Sequence, residues 1–194
     1  MSFVRIYGPS GMDEIAERFA RVAARFTDRV EGVDDDEWER PAPPEGWVAR
    51  DVVRHLVDWV PGLLFDSWGL RRPEGPSVDD DPAGAWAALR DALAAGLDDP
   101  AIAASEADIR PGRYAWAAAV DQFVLGDLVV HTWDLARATG QDETLDPVEV
   151  HRMYEGMLPM DEVLRQSGHY GPKVDVPDDA DEQTKLIAFT GRRP

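Results

Sequence analysis

Between Met12 and Val30 the apolar residues Ile15, Phe19, Val22, Phe26 and Val30 recur every three or four positions with charged residues between them. That period predicts a helix with one buried face. From Asp34 to Gly46 the chain gathers acidic residues and prolines at 41, 43 and 44, and reads as a loop, because proline cannot donate to a helix ladder. A second helix is predicted from about Ala49, where Val52, Val53, Leu56, Val57, Val60, Leu63, Leu64 and Phe65 make a broad apolar face interrupted by Pro61. After a polar loop, Pro82 to Leu97 carries Trp86, Leu89, Leu93 and Leu97 at helical spacing, with Pro82 suited to a first turn.

Residues 99–114 mix Pro, Ala and Asp around Pro111-Gly112 and suit a short hairpin. A long helix is predicted from about Ala117 to Thr139, stopped by Gly140, and another from Pro147 to about Gln166, with Gly168 after its end. Tyr170 to Pro177 reads as extended, and Asp179 to Thr190 as a short last helix before Gly191. Together these elements predict a mainly α fold: a single-domain four-helix bundle over residues 1–194, with short additional helices and an extended C-terminal segment.

Composition narrows the function classes. The chain has 38 acidic against 20 basic residues, a formal charge of −18, so its field repels phosphate backbones and anionic lipid; no nucleic acid and no membrane partner is expected. No stretch approaches the roughly 18 apolar residues of a spanning helix, and the start MSFVRIYGPSGMDE lacks the order of a signal peptide, which predicts a cytoplasmic protein. The absence of cysteine excludes disulfides, zinc–thiolate sites and cysteine nucleophiles, so any thiol chemistry must use a thiol from outside the chain. The sequence contains no nucleophile elbow, phosphate loop or dinucleotide turn.

Candidate chemistry is concentrated in three residues. His131 follows Asp127 by four positions, which puts a carboxylate and an imidazole on nearly one helical face, roughly 6 Å apart along the axis. His55 lies in the apolar run of the second helix, where an unpartnered imidazole is costly and a metal would satisfy it. Two imidazoles and a carboxylate suit Zn²⁺ with one open position, and equally Ni²⁺ or Fe²⁺ with more positions open to water. The alternative is an ordinary Asp–His pair across a helical turn. Asp58 and Asp134, each three residues after a histidine, have the spacing to orient the rings. Trp59, one turn after His55, is placed to line such a site; Trp68, Trp116 and Trp133 read as core or pocket wall. His151 and His169 read as surface or loop residues, and the acidic runs at 34–39 and 79–81 as solvated charge.

Three blocks carry a resemblance: GWVARDVVRHLVDW ending at Trp59, DQFVLGDLVVHTWDLARATG from Asp121 to Gly140, and YGPKVDVPDDADEQTKLIAFTGR from Tyr170 to Arg192. In these the chain resembles the DinB/YfiT-like superfamily, and within it the N-terminal domain of mycothiol-dependent maleylpyruvate isomerase and its uncharacterised relatives. The resemblance implies a bundle holding a divalent metal on His55, Asp127 and His131. It implies a metal-dependent thiol transferase or thiol-dependent isomerase, with mycothiol or a similar small thiol as co-substrate and a small electrophile as partner, and it leaves a homodimer open. This chain carries Asp127 where that isomerase family has glutamate, one methylene longer, which bears on whether Asp127 can ligate directly. The competing readings are a metal- or ligand-binding module without turnover and a metal-free structural domain.

Overall fold

The computed structural model describes residues 9–110, 112–166 and 170–194, and it is mainly helical. Helix α1 spans Pro9–Glu31, and its stripe Ile15, Phe19, Val22, Phe26 and Val30 is almost completely buried, each at 3% exposure or less. Burial of such side chains contributes about 1.5–3 kcal/mol apiece, which is what holds a helix of this composition in place. Helix α2, Ala49–Leu63, buries Val52, Val53, Leu56 and Val60, and runs through Pro61 to stop within one turn of it. Its first turn is secured by Asp51, whose side chain accepts from the Val48 amide at 3.0 Å.

Helix α3, Pro82–Asp98, starts on Asp81, which accepts from the Gly84 amide, so the acidic run at 79–81 supplies a helix cap. A short helix α4, Pro100–Ala104, leads into the hairpin expected in this region: β1, Glu106–Ile109, pairs antiparallel with β2, Gly112–Ala115, and Ile109 faces Gly112. Pro111 of the expected turn lies outside the described residues.

The long helix expected from about Ala117 to Thr139 is built in three parts. Helix α5, Trp116–Ala119, passes into a π-helical turn, Val120–Val124, and then into helix α6, Leu125–Thr139, which Gly140 ends at φ 69°. The helix expected from Pro147 to Gln166 is broken: α7 covers Pro147–Met157, a 3₁₀ turn Leu158–Met160, and α8 Asp161–Gln166. Pro159 explains the break, since it lacks the amide for the α ladder and its ring crowds the preceding turn. The closing helix α9, Glu182–Phe189, begins three residues later than expected because Asp181 caps it through the Thr184 amide. Gly168 and His169 lie outside the described residues.

Helix α1 packs on α3 and α6, α2 packs on the same two, and α9 packs on α7. A buried ion cluster ties three of these parts together: Arg18 of α1 donates to both oxygens of Glu149 on α7, at 3.0 and 2.6 Å, and pairs with Asp121 in the π turn. Among the described residues no helix is long and apolar enough to cross a membrane.

Candidate metal centre

Helices α2 and α6 lie side by side, and the site forms where His55 of α2 meets the first two turns of α6. His55, Asp127 and His131 come together as the sequence predicts: one ligand atom from each lies within 4.8 Å of the others. His55 Nε2 is 3.0 Å from Asp127 Oδ2, and His131 Nε2 is 3.3 Å from Asp127 Oδ1. The two rings meet edge to face with centroids 4.8 Å apart. Ligands each about 2.0–2.1 Å from a tetrahedral ion stand roughly 3.3–3.4 Å apart; the two histidine–aspartate separations, each to a different carboxylate oxygen, are close to this, and the set as a whole lies within 4.8 Å. The shorter side chain of Asp127 therefore reaches both rings directly.

The three donors differ in exposure. The His131 side chain is 5% exposed, whereas those of His55 and Asp127 are 32% and 26% exposed, so the open side of the cluster lies toward His55 and Asp127. Burial works against the charge on Asp127, but the positive His131 beside it and hydrogen bonds from His131 and His55 outweigh burial and hold its carboxyl well below the usual range. Burial likewise lowers the His131 pKa, yet Asp127 and Asp134 overcome it and raise the ring to about 9.

The expectation for Asp134 holds and that for Asp58 does not. Asp134, whose side chain is wholly buried, accepts from His131 Nδ1 at 2.9 Å, leaving Nε2 directed to Asp127. Asp58 is exposed, and among the described residues it makes no hydrogen bond to His55. Trp59 lines the site as its spacing suggests and donates its indole N–H to Asp127 Oδ2 at 3.1 Å. His151 is exposed, pairs with Glu182 at 3.0 Å and is not part of the donor group.

Three contributors escape a reading of spacing. Trp47 stacks on His131, centroids 5.9 Å apart and planes within 19°, and also meets His55 at 5.2 Å. It is set by the proline-rich loop, where Ala42 N donates to Trp47 O, Trp47 N donates to Pro44 O, and Pro41 bridges to Val48. Tyr170 is half-buried in the field of Asp127; burial and that negative charge push its phenol up, so it keeps its proton. Arg192 donates to both oxygens of Asp134 at 2.7 Å each. The only sequence signal for these is their membership of the blocks GWVARDVVRHLVDW and Tyr170–Arg192; none bears a periodic relation to His55 or His131.

Residues 8–134 match the family model of the DinB superfamily, a span that contains all three candidate ligands and covers most of the sequence. No curated protein and no solved structure matches the chain.

Proposed function

The chain belongs to the DinB superfamily, and we propose that within it this protein is a divalent-metal enzyme that activates a low-molecular-weight thiol, such as mycothiol, for transfer to a small electrophile or for thiol-assisted isomerisation. On this reading residues 1–194 form one domain in which α1, α2, α3 and α6 make a four-helix bundle of the kind found in the N-terminal domain of maleylpyruvate isomerase. The carrying observation is the donor set: two imidazole nitrogens and a carboxylate converge at separations that suit one Zn²⁺, and also Ni²⁺ or Fe²⁺, with an exposed side left for an incoming ligand. A bound divalent ion would lower the pKa of a coordinated thiol so that thiolate forms near neutral pH.

The chain's own residues do the rest. Asp134 holds His131 by its Nδ1–H, Trp59 holds the Asp127 carboxylate, and Trp47 stacks on the His131 ring. Tyr170 keeps its phenol protonated in the field of Asp127. The chain has no cysteine to compete with the external thiol.

Metal analysis of untagged protein, followed by cobalt substitution, tests this reading. A sulfur-to-cobalt charge-transfer band should appear on adding a small thiol, and His55→Ala, at the more exposed of the two histidines, should abolish it while preserving the helical signal. Loaded protein with no band and no thiol-dependent loss of a model electrophile would leave a metal-binding module without turnover. A metal-free structural domain is favoured by one observation, that Asp127 already has hydrogen-bonding partners in both histidines and Trp59. Protein that takes up no metal from a stoichiometric supply would decide for it.

A further inference from the structure

Asp134 is a carboxylate with 0% side-chain exposure, and it faces a ring that must stay oriented for Nε2 to meet an ion. A buried carboxylate is costly unless its charge is balanced and its oxygens are satisfied. His131 occupies part of one oxygen; the remainder is taken by Arg192, whose Nε donates to Oδ1 and Nη2 to Oδ2, both at 2.7 Å. A two-pronged guanidinium contact fixes the carboxylate plane as well as its charge. The plane of Asp134 sets the direction from which Oδ2 accepts the Nδ1 proton, and with it the rotation of His131.

Arg192 is itself held. Gly191 takes φ 89°, a conformation that side chains rarely adopt, and a Cβ there would stand 3.0 Å from Gly171 Cα and 3.1 Å from Pro172 O. The Arg192 amide donates back to Ile187 O at 3.3 Å, and Arg165 donates to the carbonyls of Gly171 and Phe189 across the same junction. The end of α9 is thus clamped to the 170–172 segment, and the clamp delivers the guanidinium to Asp134. This segment lies beyond the residues that match the superfamily.

We propose that Arg192 is a positioning residue of the metal centre: through Asp134 it fixes the ring orientation and the Nδ1–H form of His131, so that Nε2 is offered to the ion. The inference rests on the metal reading for its purpose, and its geometry is independent of an ion. In the metal-free full chain, ¹⁵N spectra recorded at a pH where the ring is neutral should show His131 protonated at Nδ1; in Arg192→Gln a population protonated at Nε2 should appear. Zn²⁺ affinity, read by competition with a chromophoric chelator, should fall about 10–100-fold in Arg192→Gln. Arg192→Lys, which restores the charge without the two-pronged contact, should recover part of this loss while the thermal melts of both variants stay cooperative. An unchanged tautomer and an unchanged Zn²⁺ affinity in Arg192→Gln would overturn the proposal. If the parent binds no Zn²⁺ yet the tautomer shifts, the metal reading falls and the positioning role stands.

Discussion

Asp127 offers two oxygens to three neighbours, and how they are shared decides what the site can hold. Oδ2 takes both His55 and Trp59, while Oδ1 faces His131. Because the aspartate already reaches both rings, adding a methylene should push the carboxylate past the position an ion would share. Asp127→Glu is therefore expected to weaken Zn²⁺ binding by about tenfold, or about 1.4 kcal/mol, and chelator competition on the two proteins checks it; equal or tighter binding would mean that the aspartate meets the ion through water. The pH dependence follows from the same pairings. His131 is raised from 6.5 to about 9, so its ion pair stabilises the metal-free protein fully below pH 6.5 and is lost as pH rises through 9. Asp127 is lowered from 3.8, so its share is present above that pH and fades only in strong acid. Thermal melts in chelator should accordingly drop by several degrees between pH 6.5 and 9.5, while Zn²⁺ affinity climbs over the same window as the competing proton leaves His131; a flat melting profile would contradict the assignment. The three candidate ligands were legible in the sequence because helical period puts Asp127 and His131 on one face and because an imidazole in an apolar run needs a partner. Trp47 and Arg192 were not, since each arrives through a loop whose path no periodicity encodes.

At the scale of elements, the apolar stripes of α1, α2 and α3 and the prolines that open α3 and α7 translate directly from sequence to structure. The π turn does not, because long apolar runs flank Asp121 and Gln122 on both sides, and a one-residue insertion between two such runs leaves no mark on their pattern. That turn has a purpose in geometry: the extra residue turns α6 by about 100° relative to α5, and Arg18 grips it through Asp121. Deleting Gln122 should restore an α ladder, rotate Asp127 and His131 away from His55 and abolish Zn²⁺ binding with little loss of helical circular dichroism; retained binding would show that the π turn is incidental. A second expectation concerns the contact of α3 with α5. An added Cβ at Gly96 would stand 2.7 Å from Trp116 Nε1, and Trp116 is confined by edge-on contacts with Phe65 and Trp68. Gly96→Ala gains about 1 kcal/mol in helix propensity but forces overpacking that costs about 1–3 kcal/mol. Urea denaturation should show a net loss of stability; a gain would mean that the indole has room to move.

For the whole molecule, 38 acidic residues against 20 basic ones leave a net repulsion that the scattered surface pairs do not cancel. Screening it should stabilise the fold, so the melting temperature is expected to rise between about 10 mM and 150 mM NaCl, over which the Debye length shrinks from about 30 to 8 Å; a fall would show that specific ion pairs outweigh the mean field. The tie from the centre to the closing segment of the fold has a consequence in time. Asp134 and its Arg192 partner are 58 residues apart, and at about 5–20 residues per second a ribosome needs roughly 3–12 s to add that stretch. Throughout that interval the nascent chain carries all three candidate ligands but lacks the guanidinium that squares Asp134 to His131. On the proposed metal reading, an ion captured co-translationally would meet a loosely aimed ring, and a tight site would form only after α9 has docked.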